Sequence, residues 1–193
     1  MKHIILAMTG ASGSAFGLEA LRQLNSYKDV RTHLIISGWA QQVMREETGR
    51  DVEQHIRDLD AGRIRMHEHG DMNSPLASGS NPIHGMLISP CSMGTLCSIA
   101  SGLSANLIER SASVCLKERR RLILMARETP LSTIHLEQMA ALSRSGAVIM
   151  PPVPAMYSRP ESLEQMIAQI ISRSLMLLDI DNTHVQGWNN ETL

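Results

Sequence analysis

Short, largely apolar runs alternate along this chain with longer stretches of helical periodicity, and few folds accommodate that pattern. The runs are His3–Met8, Thr32–Ile36, Met86–Ser89, Leu122–Ala126 and Ala147–Met150. Because they lack the strict alternation of a half-exposed strand, they read as strands buried on both faces, which requires a parallel sheet with crossover helices above and below it. Helices are expected at about Ser14–Leu24, Ala40–Glu47, Thr95–Ser101, Leu136–Ser143 and Ser162–Leu178. In the last of these, Leu163, Met166, Ile167, Ile170, Ile171, Leu175 and Leu178 form one apolar stripe, suited to packing on the sheet or on another subunit. The segment from Gly70 to His84 is rich in Gly, Ser, Asn and Pro and reads as a loop, of a length that in compact domains is often functional. The expected class is α/β with a mainly parallel sheet.

At 193 residues and 43% hydrophobic content, the chain suits one well-packed domain over 1–193, with a C-terminal helix and short tail from about 160. There is no internal repeat and no low-complexity linker. With a net charge of −1 the chain has no basic field for nucleic acid. Cys91, Cys97 and Cys115 make neither a secreted disulfide framework nor a CxxC metal pair, so free thiols in a reducing compartment and no metal are expected. The opening MKHIILAMTGAS imitates a signal peptide, but its apolar run is short and ends in a Gly/Ser turn. No later stretch has the length to span a bilayer. The expectation is a cytoplasmic protein with no membrane partner. Aromatics are only 3%, so Leu, Ile, Val and many of the thirteen Met must fill the core.

Ligands of open parallel sheets bind beyond the carboxyl ends of the strands. After the first strand comes TGASGSAFG, a Gly/Ser turn opening a helix, where backbone amides and the helix dipole favour an anion such as phosphate. The spacing of Gly10, Gly13 and Gly17 is neither the dinucleotide fingerprint nor a Walker loop, so a plain tight turn competes with a phosphate cradle. After Met86–Ser89, the string ISPCSMGTL places Ser92, Gly94 and Thr95 at a helix start, either as ligand donors or simply as caps. Arg119, Arg120 and Arg121 suit a solvated face, whereas Arg127 and Glu128 stand at a strand exit before Pro130, where a guanidinium can grip phosphate and a carboxylate can carry a proton. GAVIMPPVPAMYSRP delivers Tyr157, and Arg173 follows on the last helix, either snorkelling or completing an anion site with Tyr157.

The strings TGASG, SPCSMGTL, NLIERSASVCLKERR, RETPLSTIHLEQM and GAVIMPPVPAMYSRPES resemble, in that order, the UbiX/Pad family of flavin prenyltransferases. SGWAQ around Trp39 and ETG at Glu47 resemble its phenolic-acid-decarboxylase-associated branch. The resemblance implies a Rossmann-like, three-layer flavoprotein that prenylates reduced FMN with dimethylallyl phosphate, without metal. It implies a UbiD-type decarboxylase as the partner receiving prenylated FMN, and a homo-oligomer, up to a dodecamer. By motif match, FMN meets Gly10, Ala11, Ser12, Ser37, Ser92, Met93, Gly94, Thr95 and Arg127. The donor phosphate meets Lys117, Tyr157 and Arg173, with Arg110 reaching in from a neighbouring subunit. Ser12, Glu47, Lys117, Glu128, Tyr157 and Arg173 are the implied catalytic set, with Glu47 and Glu128 as acid/base candidates.

Two positions depart from the family pattern. Met72 stands where some relatives carry a Trp, which removes a cation–π surface, and Arg121 stands where many carry Pro. The rival readings are a flavin-dependent cysteine decarboxylase, whose Pro-Ala-Ser-Ala-Asn-Thr string is PCSMGT here, and a non-catalytic FMN-binding subunit of a decarboxylase complex. The second rival gives no reason for a second anion site.

Overall fold

A computed structural model describes residues 1–57 and 59–181; the end of the expected C-terminal tail lies outside these. The strands are β1 (Lys2–Met8), β2 (Val30–Ile36), β3 (Ile64–His67), β4 (Gly85–Cys91), β5 (Arg121–Ala126) and β6 (Val148–Ile149). Between and after them run α1 (Ser14–Ser26), α2 (Gly38–Thr48), α3 (Val52–Ile56), α4 (Met93–Ala100), α5 (Leu107–Lys117), α6 (Thr133–Arg144) and α7 (Leu163–Met176). Among the described residues the strands form one six-stranded sheet in the order β3-β2-β1-β4-β5-β6, and every pairing is parallel. The parallel α/β expectation therefore holds. The strand β3 and the helices α3 and α5 are additional to it, and the Gly70–His84 loop holds one short helical turn, Pro75–Ala77.

One face of the sheet buries Ile4, Leu6, Met8, Leu34 and Ile123 against α1 and α7, the latter through Ile167, Ile170, Ile171 and Leu175. The other buries Ile5, Ala7, Ile88 and Leu124 against α4 and α5, where Leu96, Leu107 and Ile108 complete the layer. Each fully buried Leu or Ile contributes about 1.5–3 kcal/mol. The apolar stripe of α7 is thus spent mainly inside the chain, although Leu163 at its start remains exposed. Helix starts are capped as their sequences allow: Ser37, Ser92, Asn106, Ser132 and Ser162 accept from first-turn amides of α2, α4, α5, α6 and α7. Arg121 donates to the Leu177 carbonyl at 2.8 Å and pairs with Asp179 at 2.9 Å, tying the start of β5 to the end of α7. A Pro there could make neither contact.

Candidate active site

The chain leaves β1 toward β2 on one side and β4 toward β5 on the other, so the crevice between the carboxyl ends of β1 and β4 is the place where connections diverge. Thr9 spans it. Its buried hydroxyl donates to the Pro90 carbonyl at 2.9 Å and accepts from the Ser92 amide at 2.7 Å, while its own amide donates to Pro90. One side chain thereby brackets the two turns on which the expected flavin contacts stand. The sequence carried no sign of this role, because Thr9 lies far from Pro90 along the chain.

On the β1 side, Gly13 takes a left-handed conformation (φ 101°) that opens α1. The Gly13 and Ser14 amides there, read from sequence as a phosphate cradle, are held by an internal anion. Both donate to the Glu47 carboxylate at 2.8 Å, and the Ser14 hydroxyl does so at 2.5 Å. Burial pulls the Glu47 carboxyl upward, but hydrogen bonds from the Ser14 and Ser12 hydroxyls and the Gly13 and Ser14 amides outweigh it, leaving the group below its usual range. Gly10 packs against Trp39 so closely that a Cβ would stand 2.5 Å from the Trp39 Cβ. Ala11 beside it is buried and Ser12 exposed.

The neighbouring strand ends present the other expected contacts. Ser37 follows β2, donates its amide to the Met8 carbonyl and caps α2. On the β4 side, Ser92 caps α4 through Thr95, and its hydroxyl donates to the Thr95 hydroxyl at 3.2 Å. The Met93 and Gly94 amides lie in the first turn, where a helix offers them no acceptor of its own. Nothing stands within 4 Å of where a Gly94 Cβ would be. Burial pushes the adjacent Cys91 thiol far up, so it is no nucleophile. Beyond β5, the Arg127 amide donates to the Cys91 carbonyl at 3.0 Å and Glu128 is exposed, accepting from the Thr129 amide.

Tyr157 and Arg173 face a common space. They line one cavity of about 220 Å³ together with Met150, Val153, Gln169 and Ile170, on the α7 side of β6. Lys117, expected with them, is elsewhere in the same chain. It ends α5 just before β5 begins, at the amino edge of the sheet, where its ammonium lies against Gly79 and pairs with Glu118. Parallel strands all start at that edge, whereas Tyr157 follows the carboxyl end of β6. Arg110 lies on α5, its Nε donating to the Ala77 carbonyl at 2.9 Å. A single chain brings together half of the expected donor set. Among the described residues no cluster of His, Cys, Asp and Glu is arranged to hold a metal ion, and no helix is long and apolar enough to cross a membrane.

The chain matches the Flavoprotein family over residues 1–175. It is 43% identical to a flavin prenyltransferase UbiX of Methanocaldococcus jannaschii, over 96% of this chain and 97% of that one. Among solved structures, it resembles AnUbiX crystallised with FMN and dimethylallyl pyrophosphate, with 45% identity, a TM-score of 0.88 and 99% of each chain covered. It also resembles a dodecameric FMN-dependent UbiX-like decarboxylase of Escherichia coli O157:H7, with 37% identity, a TM-score of 0.90, and 97% and 100% of the two chains covered. Similarity of that extent makes this chain a member of the flavoprotein family and, within it, of the UbiX-type flavin prenyltransferases.

Proposed function

We infer that this protein joins the dimethylallyl group of dimethylallyl phosphate to N5 and C6 of reduced FMN, making prenylated FMN. The observation that carries this reading is the pairing of two separate anion-competent regions, the strand-end cradle and the Tyr157–Arg173 cavity, in a chain similar along its length to flavin prenyltransferases. A protein that only stored FMN would need the first alone.

The cradle suits FMN chemically. Hydroxyls of Ser12, Ser37, Ser92 and Thr95 are polar donors and acceptors, the open amides of Met93 and Gly94 favour an anion, and Arg127 adds a guanidinium, with Gly10 and Ala11 giving close backbone approach. Reduced FMN, when bound, supplies the nucleophilic nitrogen and ring carbon. What the protein adds is charge control on the donor. Breaking an allylic C–O bond leaves phosphate with more negative charge, so contacts from Tyr157, Arg173, Lys117 and Arg110 that strengthen as charge develops lower the barrier. Glu47 is held ionised with its oxygens engaged by the Gly13 and Ser14 amides and the Ser14 hydroxyl, which makes it a weak base, so exposed Glu128 is the more accessible of the two proton carriers.

The separation of Lys117 from Tyr157 supports a homo-oligomer in which one chain's Lys117 and Arg110 complete a neighbour's donor site, in keeping with the dodecameric relative. The product then passes to a UbiD-type decarboxylase, the recipient that the family resemblance implies. The test is mass spectrometry of the flavin after anaerobic incubation with reduced FMN and dimethylallyl phosphate. A species heavier by one dimethylallyl unit is expected. Unchanged FMN with both the phosphate and the pyrophosphate donor would overturn the reading.

A further inference from the structure

Three histidines cross the sheet on a diagonal beneath the 70–84 loop. His3 of β1, His33 of β2 and His67 of β3 share the face that carries Ile5 and Ile35, since Ile5 pairs with His33 and Ile35 with His67. The His3 Nδ1 lies 2.9 Å from the His33 Nε2, the His33 Nδ1 lies 3.0 Å from the His67 Nε2, and the His67 Nδ1 lies 2.9 Å from the Ser74 Oγ. His33 and Ser74 are buried. From Ser74 the network continues into the loop and α5: the hydroxyl caps the Pro75–Ala77 turn, Ser111 donates to the Leu76 carbonyl, and Arg110 donates to the Ala77 carbonyl.

Hydrogen accounting gives this row its properties. A neutral imidazole has one N–H and one lone pair. Three neutral rings fill every link only if all carry the proton on Nδ1, or all on Nε2 with the Ser74 hydroxyl donating. A mixed set leaves two N–H groups or two lone pairs facing each other across a link. One extra proton can be housed with every link intact, but a second forces two N–H groups together. As a proton wire the row would do no work, because His3 and His67 at its ends both reach the same solvent.

We propose that His3, His33 and His67 are positioning residues whose neutral, in-phase row latches the 70–84 loop to the sheet and sets Arg110 for the donor phosphate, and that the latch releases when the row gathers protons. The Arg110 part rests on the prenyl-transfer reading; the latch itself does not. The groups facing the row are cationic on balance. Arg31 of β2, Arg65 of β3, His84 at the end of the loop and the chain's amino terminus oppose a proton, and Asp71 of the loop favours one. His84 accepts the His3 amide at 2.9 Å, while Arg110 and Arg120 of the α5 side are engaged with loop carbonyls. Burial first, then these neighbours, lowers all three histidines, His33 to about 4. Because burial beneath the loop, with Arg31 and Arg65 beside it, holds these groups below the ordinary histidine value of about 6.5, an opening that exposes the row takes up protons below that value, down to about pH 4 for His33. Closure is thus favoured above that window and lost as pH falls through it.

Amide hydrogen exchange of loop peptides in the FMN-loaded protein, corrected for intrinsic rates, tests the latch from pH 7.5 to 4.5. Protection of the loop should fall by up to about tenfold per pH unit for each proton taken up, with a slope above one proton. His33→Gln and His67→Gln, which cannot take a proton, should flatten that slope. A flat wild-type profile, or the same slope in both variants, overturns the proposal. If the variants do not fold, nitrogen NMR of the wild-type imidazoles decides: His33 and His67 should share a tautomer and His33 should stay neutral below pH 6, whereas a His33 ring titrating near 6.5 overturns it. In activity assays, His33→Gln should flatten the acid limb of kcat/KM for the donor with FMN affinity unchanged. Wild-type protein that shows the exchange slope but no transfer at any pH would count against the prenyl-transfer reading alone.

Discussion

At the scale of single residues, the site depends on small polar side chains that hold backbone rather than substrate. Thr9 is the clearest. Thr9→Val keeps its shape but leaves the Ser92 amide without its acceptor in a partly buried place, which should cost about 1–2 kcal/mol in urea denaturation. Because it unties the two turns from each other, FMN affinity measured by fluorescence titration should fall with it. Glu47 gives a pH-dependent case. Its carboxyl sits below the ordinary range in the folded chain, so its stabilisation is present above that range and disappears as acid protonates it. Glu47→Gln should therefore destabilise by about 1 kcal/mol at pH 7, a modest value because the side chain is exposed, and the difference from wild type should vanish near pH 3. A constant difference across that range would mean that the amides were served equally well by a neutral amide oxygen.

At the scale of elements, close approach between α1 and the sheet is the feature most sensitive to change. A Cβ on Gly17 would stand 2.4 Å from the Met8 Cε and 2.5 Å from the Ser89 carbonyl oxygen. Alanine normally gains about 1 kcal/mol over glycine inside a helix. The methionine can move but the strand backbone cannot, so overpacking should win, and Gly17→Ala should lose about 1–3 kcal/mol. For a chain of this size that is about 2–4 °C of Tm per kcal/mol by calorimetry. The same packing logic explains what was legible from sequence. The central strands β1, β4 and β5 are buried on both faces and announce themselves as apolar runs. The edge strand β3 is Ile-Arg-Met-His, half-exposed, and carries no such run. Helix α5 buries Ser111, Ala112 and Cys115 beside Leu107 and Ile108, small residues that blur its apolar stripe. The candidate flavin turns were found because they follow apolar strands. The Thr9 bracket, the Glu47 anion and the histidine row were not, since each depends on which strands become neighbours.

At the scale of the whole molecule, the sheet's polarity divides the donor set. Lys117 stands at the amino edge and Tyr157 beyond the carboxyl edge, so a donor site built as proposed from both must draw them from different copies. Lys117→Ala and Tyr157→Phe should each lose most prenyl transfer, by about ten- to a hundredfold for one charge-assisted contact. Dissociated, mixed and reassembled, the two inactive proteins should regain part of the activity, because some sites then draw an intact residue from each parent. A mixture no more active than its parts would show that the residues act within one chain.

Trp39 has an optical consequence. The residue is 72% exposed and its Cβ packs against Gly10, in the turn after β1 proposed to meet the flavin. A bound isoalloxazine absorbs where tryptophan emits, so excitation reaching Trp39 should drain into the flavin and its emission should dim in proportion to occupancy. Trp188 lies outside the described residues, and Trp39→Phe isolates its contribution. Stopped-flow emission at the tryptophan band should thus time the arrival of FMN in the native chain without any attached dye, and the Phe variant should lose most of that signal while binding the same flavin.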